Sequence, residues 1–451
     1  MSKIRISYYY VIVAAAVAQS LALAAPSPAL AEIKSLTVLS SKDIGPFRGK
    51  PYREFDVRME GVAPGGAYAV PITLALPQQA SDHNGFAIVD IINTVTVGDL
   101  QYVIGGEPLP LARTHMGDDF LFGTGNAYVD VMWDMAATDV LKIGTIKTLS
   151  DGNEILRDAA LLARDPAKFL PADAGTLPSS GKIIAYGFSQ SGRLLRGWYF
   201  EHLNGKGDTP VFDGGLVAGA VASCYGLATG WYSCRGALSD GGKVIVLSTE
   251  TDAEWGGYAD RAEDPNYRVY EIAGVSHIPS SASDFREHGM PEQNPVDFGP
   301  AFRAALINLQ QWLDGKEPPP NVFIELSEES PKKLVGVPIL AAVRDADGNA
   351  RGGVRLPHMA TTLPDGRQVG GPLGSYTGLA WDHASTNFYF TLSGTFAPFP
   401  PAKIKALYPD HETYVAAVAA AAEDLVANRH ILPEDADAYV EAAKRSSIGT
   451  N

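Results

Sequence analysis

The serine in Tyr186-Gly-Phe-Ser-Gln-Ser-Gly-Arg193 is the residue whose type and neighbours point most directly to chemistry. A strand pattern over residues 182–188 runs straight into Ser189 and then into a helical pattern over residues 190–203. Such a turn lifts a hydroxyl clear of the backbone, and it needs small residues two before and two after so that neighbouring backbones can pass. Gly187 and Ser191 fill those places, with Gly192 following. Ser191 is the rival nucleophile, but bulky Arg193 stands two places after it and it falls inside the helix.

A serine hydroxyl attacks a carbonyl only when a base takes its proton, and a third group must orient that base. In strand-turn-helix sites of this kind the acid and then the histidine follow the serine, each after a later strand. The chain supplies both in that order. The strand pattern over residues 243–248 ends at Glu250-Thr-Asp252, and the one over residues 268–272 ends at Ala273-Gly-Val-Ser-His277. Among nine histidines, His277 alone sits in that loop. Asp252 is the preferred acid because a loop carboxylate further from the strand can reach back to the imidazole; Glu250, nearer and longer, is the alternative. Two backbone N–H groups should meet the developing oxyanion, one from Gln190 and one from the loop around Thr94.

These residues require a scaffold, and the hydrophobic patterning describes one. Apolar, β-branched runs over residues 86–93, 127–133, 182–188, 215–223, 243–248 and 268–272 alternate with helical patterns over residues 151–164 and 300–314, as in a parallel sheet with flanking helices. Residues 52–62 and 68–76 read as two antiparallel strands joined by Ala63-Pro-Gly-Gly66. From Pro318 to about residue 402 the expectation is loops and short strands; residues 411–428 and a stretch opening at Pro433 read as helices. Residues 99–125, rich in glycine and unpatterned, are the candidate cover.

The first residues resemble an export signal. Lys3 and Arg5 precede an apolar run from Tyr8 to Ala25, and Ala29-Leu-Ala31 offers a small-x-small cleavage site. Cleavage there removes two positive charges and moves the net charge from −15 to −17. That sign disfavours nucleic acid and anionic membranes, and no later segment is apolar enough to span a bilayer. The expectation is a periplasmic or secreted protein without a membrane span. In an exported chain, Cys224 and Cys234 should close a disulfide. Tyr225, Trp231 and Tyr232 in that loop are candidates to line an aromatic or lipophilic pocket. Neither metal-ligand spacing nor a phosphate-cradling glycine loop is present, so no metal or cofactor is expected.

The runs Ile155-Leu-Arg-Asp158, Tyr186 to Arg196, Pro210-Val-Phe-Asp-Gly214, Asn294-Pro-Val-Asp297 and Gly353-Val-Arg-Leu-Pro357 resemble the bacterial alpha/beta hydrolase domain proteins over most of the chain after residue 31. The Ser-x-x-Gly-Arg stretch also resembles tannases and feruloyl esterases, but Phe188 and Ile278 stand where those enzymes place cysteines. The first resemblance implies an α/β-hydrolase fold and a Ser189, Asp252 or Glu250, His277 triad. The expected organisation is a signal peptide over residues 1–31, a core over 32–320 and a C-terminal extension over 321–451 packed on it. The expected function is cleavage of a carboxylic ester or lactone of a small lipophilic or aromatic molecule through an acyl-enzyme. An acyltransferase with the same triad and a non-catalytic binding protein on this fold are the alternatives.

Overall fold

A nine-stranded sheet positions everything that follows. The structure, a computed structural model, describes residues 32–93, 110–134, 144–148, 150–175, 177–205, 210–220, 223–227, 230–238, 241–278, 280, 290–328, 333–334, 337–380 and 388–450. Strands β1 (Glu32–Phe47), β2 (Lys50–Ala63) and β3 (Gly66–Pro77) form an antiparallel meander. It joins the run β4 (Phe86–Ile91), β5 (Ala127–Val131), β6 (Lys182–Phe188), β7 (Gly214–Ala218), β10 (Lys243–Thr249) and β11 (Tyr267–Ile272), whose members lie parallel to one another. The order across the sheet is β1-β2-β3-β5-β4-β6-β7-β10-β11. The chain therefore has the α/β-hydrolase fold, a mostly parallel central sheet with helices on both faces. A separate hairpin, β8 (Ser223–Gly226) with β9 (Gly230–Ser233), follows β7.

The parallel strands are apolar on both faces because both are covered. Alternate side chains go to opposite sides. Val89, Ile183, Ala185, Val217 and Val246 pack with Ile155, Ala159 and Leu162 of the helix Asp151–Arg164 and with Leu194 and Leu195 of the helix Gln190–Phe200. Ile88, Ile184, Tyr186, Leu216, Ile245 and Leu247 pack with Phe302, Leu306 and Leu309 of the helix Gly299–Leu313. That helix carries Pro300 in its first turn and stops before Gly315 at φ +96°, a conformation glycine adopts without Cβ strain. In chain order the helices used below are α1 (Leu111–Met116), α2 (Asp118–Gly123), α3 (Asp151–Arg164), α4 (Gln190–Phe200), α5 (Glu250–Gly256), α6 (Gly299–Leu313), α7 (His411–Ala427) and α8 (Pro433–Arg445).

Two expectations need correction. The apolar run 215–223 is not one strand: β7 ends at Ala218, Gly219 turns the chain at φ +56°, and Ser223 opens the hairpin. The segment 99–125 is not unpatterned where it is described, since it holds α1 and α2; its residues 99–109 lie outside the described residues. Strand β1 carries no clean alternation in the sequence because it is the edge of the sheet and exposed along most of its length. Residues 1–31, with the expected export signal, lie outside the described residues, and among those that are described no helix is long and apolar enough to cross a membrane. Ala31–Asn451 forms one compact unit.

Candidate active site

Ser189 stands between the last residue of β6 and the first of α4, at φ 56° and ψ −111°. A side-chain-bearing residue pays a steric penalty there of order 1–3 kcal/mol. The surroundings over-determine it. Its N–H donates to the Ala218 carbonyl at 3.0 Å, and its carbonyl accepts from Arg193 N–H at 2.9 Å. A Cβ at position 187 would lie 2.6 Å from the Ser191 carbonyl oxygen, and one at 192 would lie 2.6 Å from the Ala218 carbonyl oxygen. Both glycines are thus required by backbone contact. Ser191 is fully buried, its Oγ accepting from Phe188 N–H at 3.0 Å and donating to the Phe188 carbonyl at 3.1 Å. Its hydroxyl is committed to closing the turn.

His277, in the loop after β11, lies 3.0 Å through Nε2 from Ser189 Oγ and 3.0 Å through Nδ1 from Asp252 Oδ1. Asp252 is on the first turn of α5, directly after β10, where Thr249 and Asp252 exchange capping hydrogen bonds. Its second oxygen accepts from Thr249 N–H at 3.1 Å and Thr249 Oγ1 at 2.7 Å. Complete burial pushes this carboxyl up, but His277, the Thr249 hydrogen bonds and the Arg193 guanidinium outweigh burial and hold it below its ordinary value. Glu250 is equally buried, and its oxygens face elsewhere. Oε2 accepts from Gly274 N–H at 2.6 Å, and Oε1 accepts from Gly378 N–H at 2.9 Å and Arg344 Nη1 at 2.6 Å.

Other residues around this chain of hydrogen bonds carried less signal in the sequence. Arg193 is buried one turn into α4, donates through Nε to Ser223 Oγ at 2.9 Å and lies over the Trp255 ring at 5.4 Å. The Phe188 ring lies between two imidazoles, 4.9 Å from His277 and 4.5 Å from His115. Burial, with His277 nearby, lowers His115 to about 3, so its ring is neutral, and its Nδ1 meets Tyr186 Oη at 2.6 Å. Thr251, whose hydroxyl accepts from His277 N–H at 2.9 Å, and Gly378 had no sequence signature at all.

The remaining predicted residues are placed as follows. Gln190 is the first residue of α4, directly after Ser189, at a helix end where backbone N–H groups point outward. Thr94 lies outside the described residues. Cys224 and Cys234 form a disulfide that ties the β8–β9 hairpin. Tyr225 packs on Trp133, and its carbonyl approaches Gly197, two turns along α4 from Ser189. Tyr232 packs against the Phe200 ring at a tilt and donates to Glu201 at 2.9 Å, at the far end of α4 and so on the order of 15 Å from Ser189. Tyr232 is therefore not brought to the site, because the hairpin runs along the helix away from its first turn. Trp231 pairs with Tyr225 through the backbone. Besides Phe188, apolar groups come near through Ile278, the residue after His277, which packs against Leu379, Leu392 and Ile339 and against Ala380 and Phe390.

An arrangement of hydroxyl, imidazole and carboxylate in this order can move a proton from Oγ to Nε2 while the carboxylate stabilises the imidazolium. Among the described residues no group of three or more His, Cys, Asp or Glu is gathered to hold a metal. A family described as Alpha/beta hydrolase domain matches residues 56–441 of the chain. No curated protein gives a significant match. Among solved structures, the rice cell wall degrading esterase LipA from Xanthomonas oryzae superposes with 12% identity and a TM-score of 0.27, over 42% of this chain and 50% of LipA. A promiscuous CE15 esterase from a marine bacterial metagenome superposes with 12% identity and a TM-score of 0.28, over 49% of this chain and 69% of its own. The chain thus spans about half the length of LipA.

Proposed function

The chain belongs to the alpha/beta hydrolase domain family, and from that membership together with the site geometry we propose that it is a serine esterase acting through an acyl-enzyme. The observation that carries this reading is the unbroken chain Ser189 Oγ, His277 Nε2, His277 Nδ1, Asp252 Oδ1, with 3.0 Å at each hydrogen bond. Ser189 Oγ attacks the ester carbonyl carbon as its proton passes to His277 Nε2. The tetrahedral oxyanion faces backbone N–H groups, that of Gln190 among them. The C–O bond to the alcohol then breaks, and the leaving oxygen takes the proton from His277. Water, giving a proton to the same nitrogen, attacks the acyl carbon; the bond from that carbon to Ser189 Oγ then breaks, Oγ takes the proton back from His277 and the carboxylic acid leaves. Asp252 keeps one tautomer and stabilises the imidazolium in both halves.

The acidic net charge supports a neutral substrate. The apolar side chains that adjoin Ile278 support an apolar group on it, in preference to the tyrosines of the hairpin. Export to the periplasm or beyond is part of the proposal, supported by the first residues of the sequence and by the disulfide. The test is labelling with a fluorophosphonate probe, which requires an activated serine. Native protein should be labelled at Ser189, Ser189→Ala should not be labelled, and Ser191→Ala should keep the Ser189 adduct. A Ser189→Ala protein that still labels would overturn the assignment.

A further inference from the structure

We infer that Thr251 is a positioning residue, whose hydroxyl fixes the His277 backbone against the C-terminal segment at Gly378 and so sets the imidazole on the line between Asp252 and Ser189. The inference rests on the serine-esterase reading above and adds a part of the chain to that site.

The loop Ala273 to His277 follows β11 and turns at Gly274, φ +66°. The two hydrogen bonds of the imidazole orient its ring but leave the backbone that carries it to be held by other means. Thr251 provides one hold. Its Oγ1 accepts from His277 N–H at 2.9 Å and donates to the Gly378 carbonyl at 2.5 Å. Because the hydroxyl proton is committed to Gly378, the lone pairs are left for His277 N–H, and one side chain connects the two segments in a fixed sense. The neighbouring residue completes the grip. Glu250 accepts from Gly274 N–H at 2.6 Å and from Gly378 N–H at 2.9 Å, so the N–H and the carbonyl of Gly378 are both engaged by residues 250 and 251. Arg344 holds that carboxylate at 2.6 Å.

Two further observations locate the contact. A Cβ at position 378 would lie 2.4 Å from Thr251 N and 2.7 Å from the Glu250 carbonyl carbon, so only glycine lets the segments come this close. Asn294, fully buried, donates through Nδ2 to the Gly274 and Thr377 carbonyls, each at 2.9 Å, and repeats the same bridge from the other side. Glu250, Thr251 and Asp252 are consecutive. The first two grip the histidine loop and the third meets the imidazole, so one short stretch at the start of α5 sets both the backbone and the ring of His277.

Displacing a reacting group by about 1 Å costs on the order of 100-fold in rate. Thr251→Val keeps the shape but removes both hydrogen bonds, whereas Thr251→Ser keeps them. Both variants, in the full chain, are compared with native protein for fluorophosphonate labelling rate and for kcat and KM on a p-nitrophenyl ester. The expected result is a fall in kcat of roughly 30- to 100-fold for Thr251→Val with KM changed by less than about 3-fold, and recovery to within about 3-fold of native for Thr251→Ser. If the valine variant does not fold, Thr251→Ala is measured in the same way, with the same fall in kcat expected. A folded valine or alanine variant with native kcat, or a serine variant as slow as the valine one, would overturn the inference. Native protein that is not labelled at Ser189 would instead overturn the esterase reading beneath it.

Discussion

Glu250 and Asp252 are both fully buried, and what separates them is what their oxygens accept. Asp252 faces an imidazole and a cap; Glu250 faces two backbone N–H groups and an arginine. On the proposed reading Asp252→Asn should leave the protein folded and lower kcat by about 10³- to 10⁴-fold, since the amide favours the wrong imidazole tautomer. Glu250→Gln should act mainly on stability, costing about 3 kcal/mol through the weakened pairing of Arg344, with a smaller effect on kcat. Ester turnover together with denaturant unfolding separates the two. The sequence narrowed the acid to this pair and preferred Asp252 on loop reach. The cap from Thr249 had a readable form, Thr-x-x-Asp at a strand end, but the partners of Glu250 lie at residues 344 and 378, too far along the chain for any local pattern.

Asp90 is buried on the α1 side of β4. Its Oδ2 accepts from Ala112 N–H at 2.9 Å and Tyr128 Oη at 2.9 Å, and among the described residues its Oδ1 has no partner. Burial pushes its pKa up to about 8; Asp130 nearby pushes the same way, and Arg113 and the two hydrogen bonds oppose. The unfolded chain releases this proton near pH 4 and the folded chain holds it to about 8. The stabilising contribution is therefore complete below pH 4, falls as pH rises and is lost once pH passes the folded value. Asp90→Asn keeps an acceptor for both donors and cannot ionise. The fall in Tm between pH 5 and pH 8 should shrink by roughly a few degrees in this variant, measured by thermal unfolding at both values.

At the scale of elements, the strand-turn-helix from β6 into α4 was legible because periodicity changes abruptly at Ser189 and small residues flank it. The parallel strands were legible for a related reason, as burial on both faces leaves short unbroken apolar runs. The hairpin after β7 was not. Residues 215–222 are continuously apolar or glycine, and the positive φ of Gly219 ends the strand within them. The same lack of tertiary information put the hairpin tyrosines at the site, whereas the hairpin lies along α4 with Gly197 against the Tyr225 carbonyl. Its disulfide closes a short loop, ten residues from one cysteine to the other. Cys224→Ser/Cys234→Ser should cost about 2–3 kcal/mol. Because Ser223 beside it accepts from Arg193, which faces the α5 ring of Trp255, the variant should also slow ester turnover modestly. Unfolding and kcat of the native protein with and without reductant, set against the double variant, check both parts.

At the scale of the whole molecule, the question is whether residues 321–451 form an appendage or part of the working unit. The sequence offers a boundary near Pro318-Pro319-Pro320, where helical periodicity stops and glycine and proline become frequent. The contacts across that position argue for dependence. Tyr270 and Ile272 of β11 are bridged by Val322 and Val354. Ile324, Val354, Leu356, Tyr376, Ala422 and Leu425 share one buried cluster with Leu247 of β10 and Phe302 of α6. Asp435 of α8 accepts from Arg303 of α6 at 3.0 Å, and Gly378 engages Glu250 and Thr251 at the candidate site. Removing residues 321–451 would expose the β11 edge and uncover large apolar side chains, each worth about 2–5 kcal/mol when lost from a core. That exceeds the total stability of most domains. A chain of residues 32–320 should therefore be insoluble or unfold without cooperativity, and should not react with a fluorophosphonate, whereas residues 32–451 should unfold cooperatively and label. A soluble 32–320 chain that labels at the native rate would mean that the C-terminal residues only decorate the core, and that Gly378 is dispensable to the histidine loop.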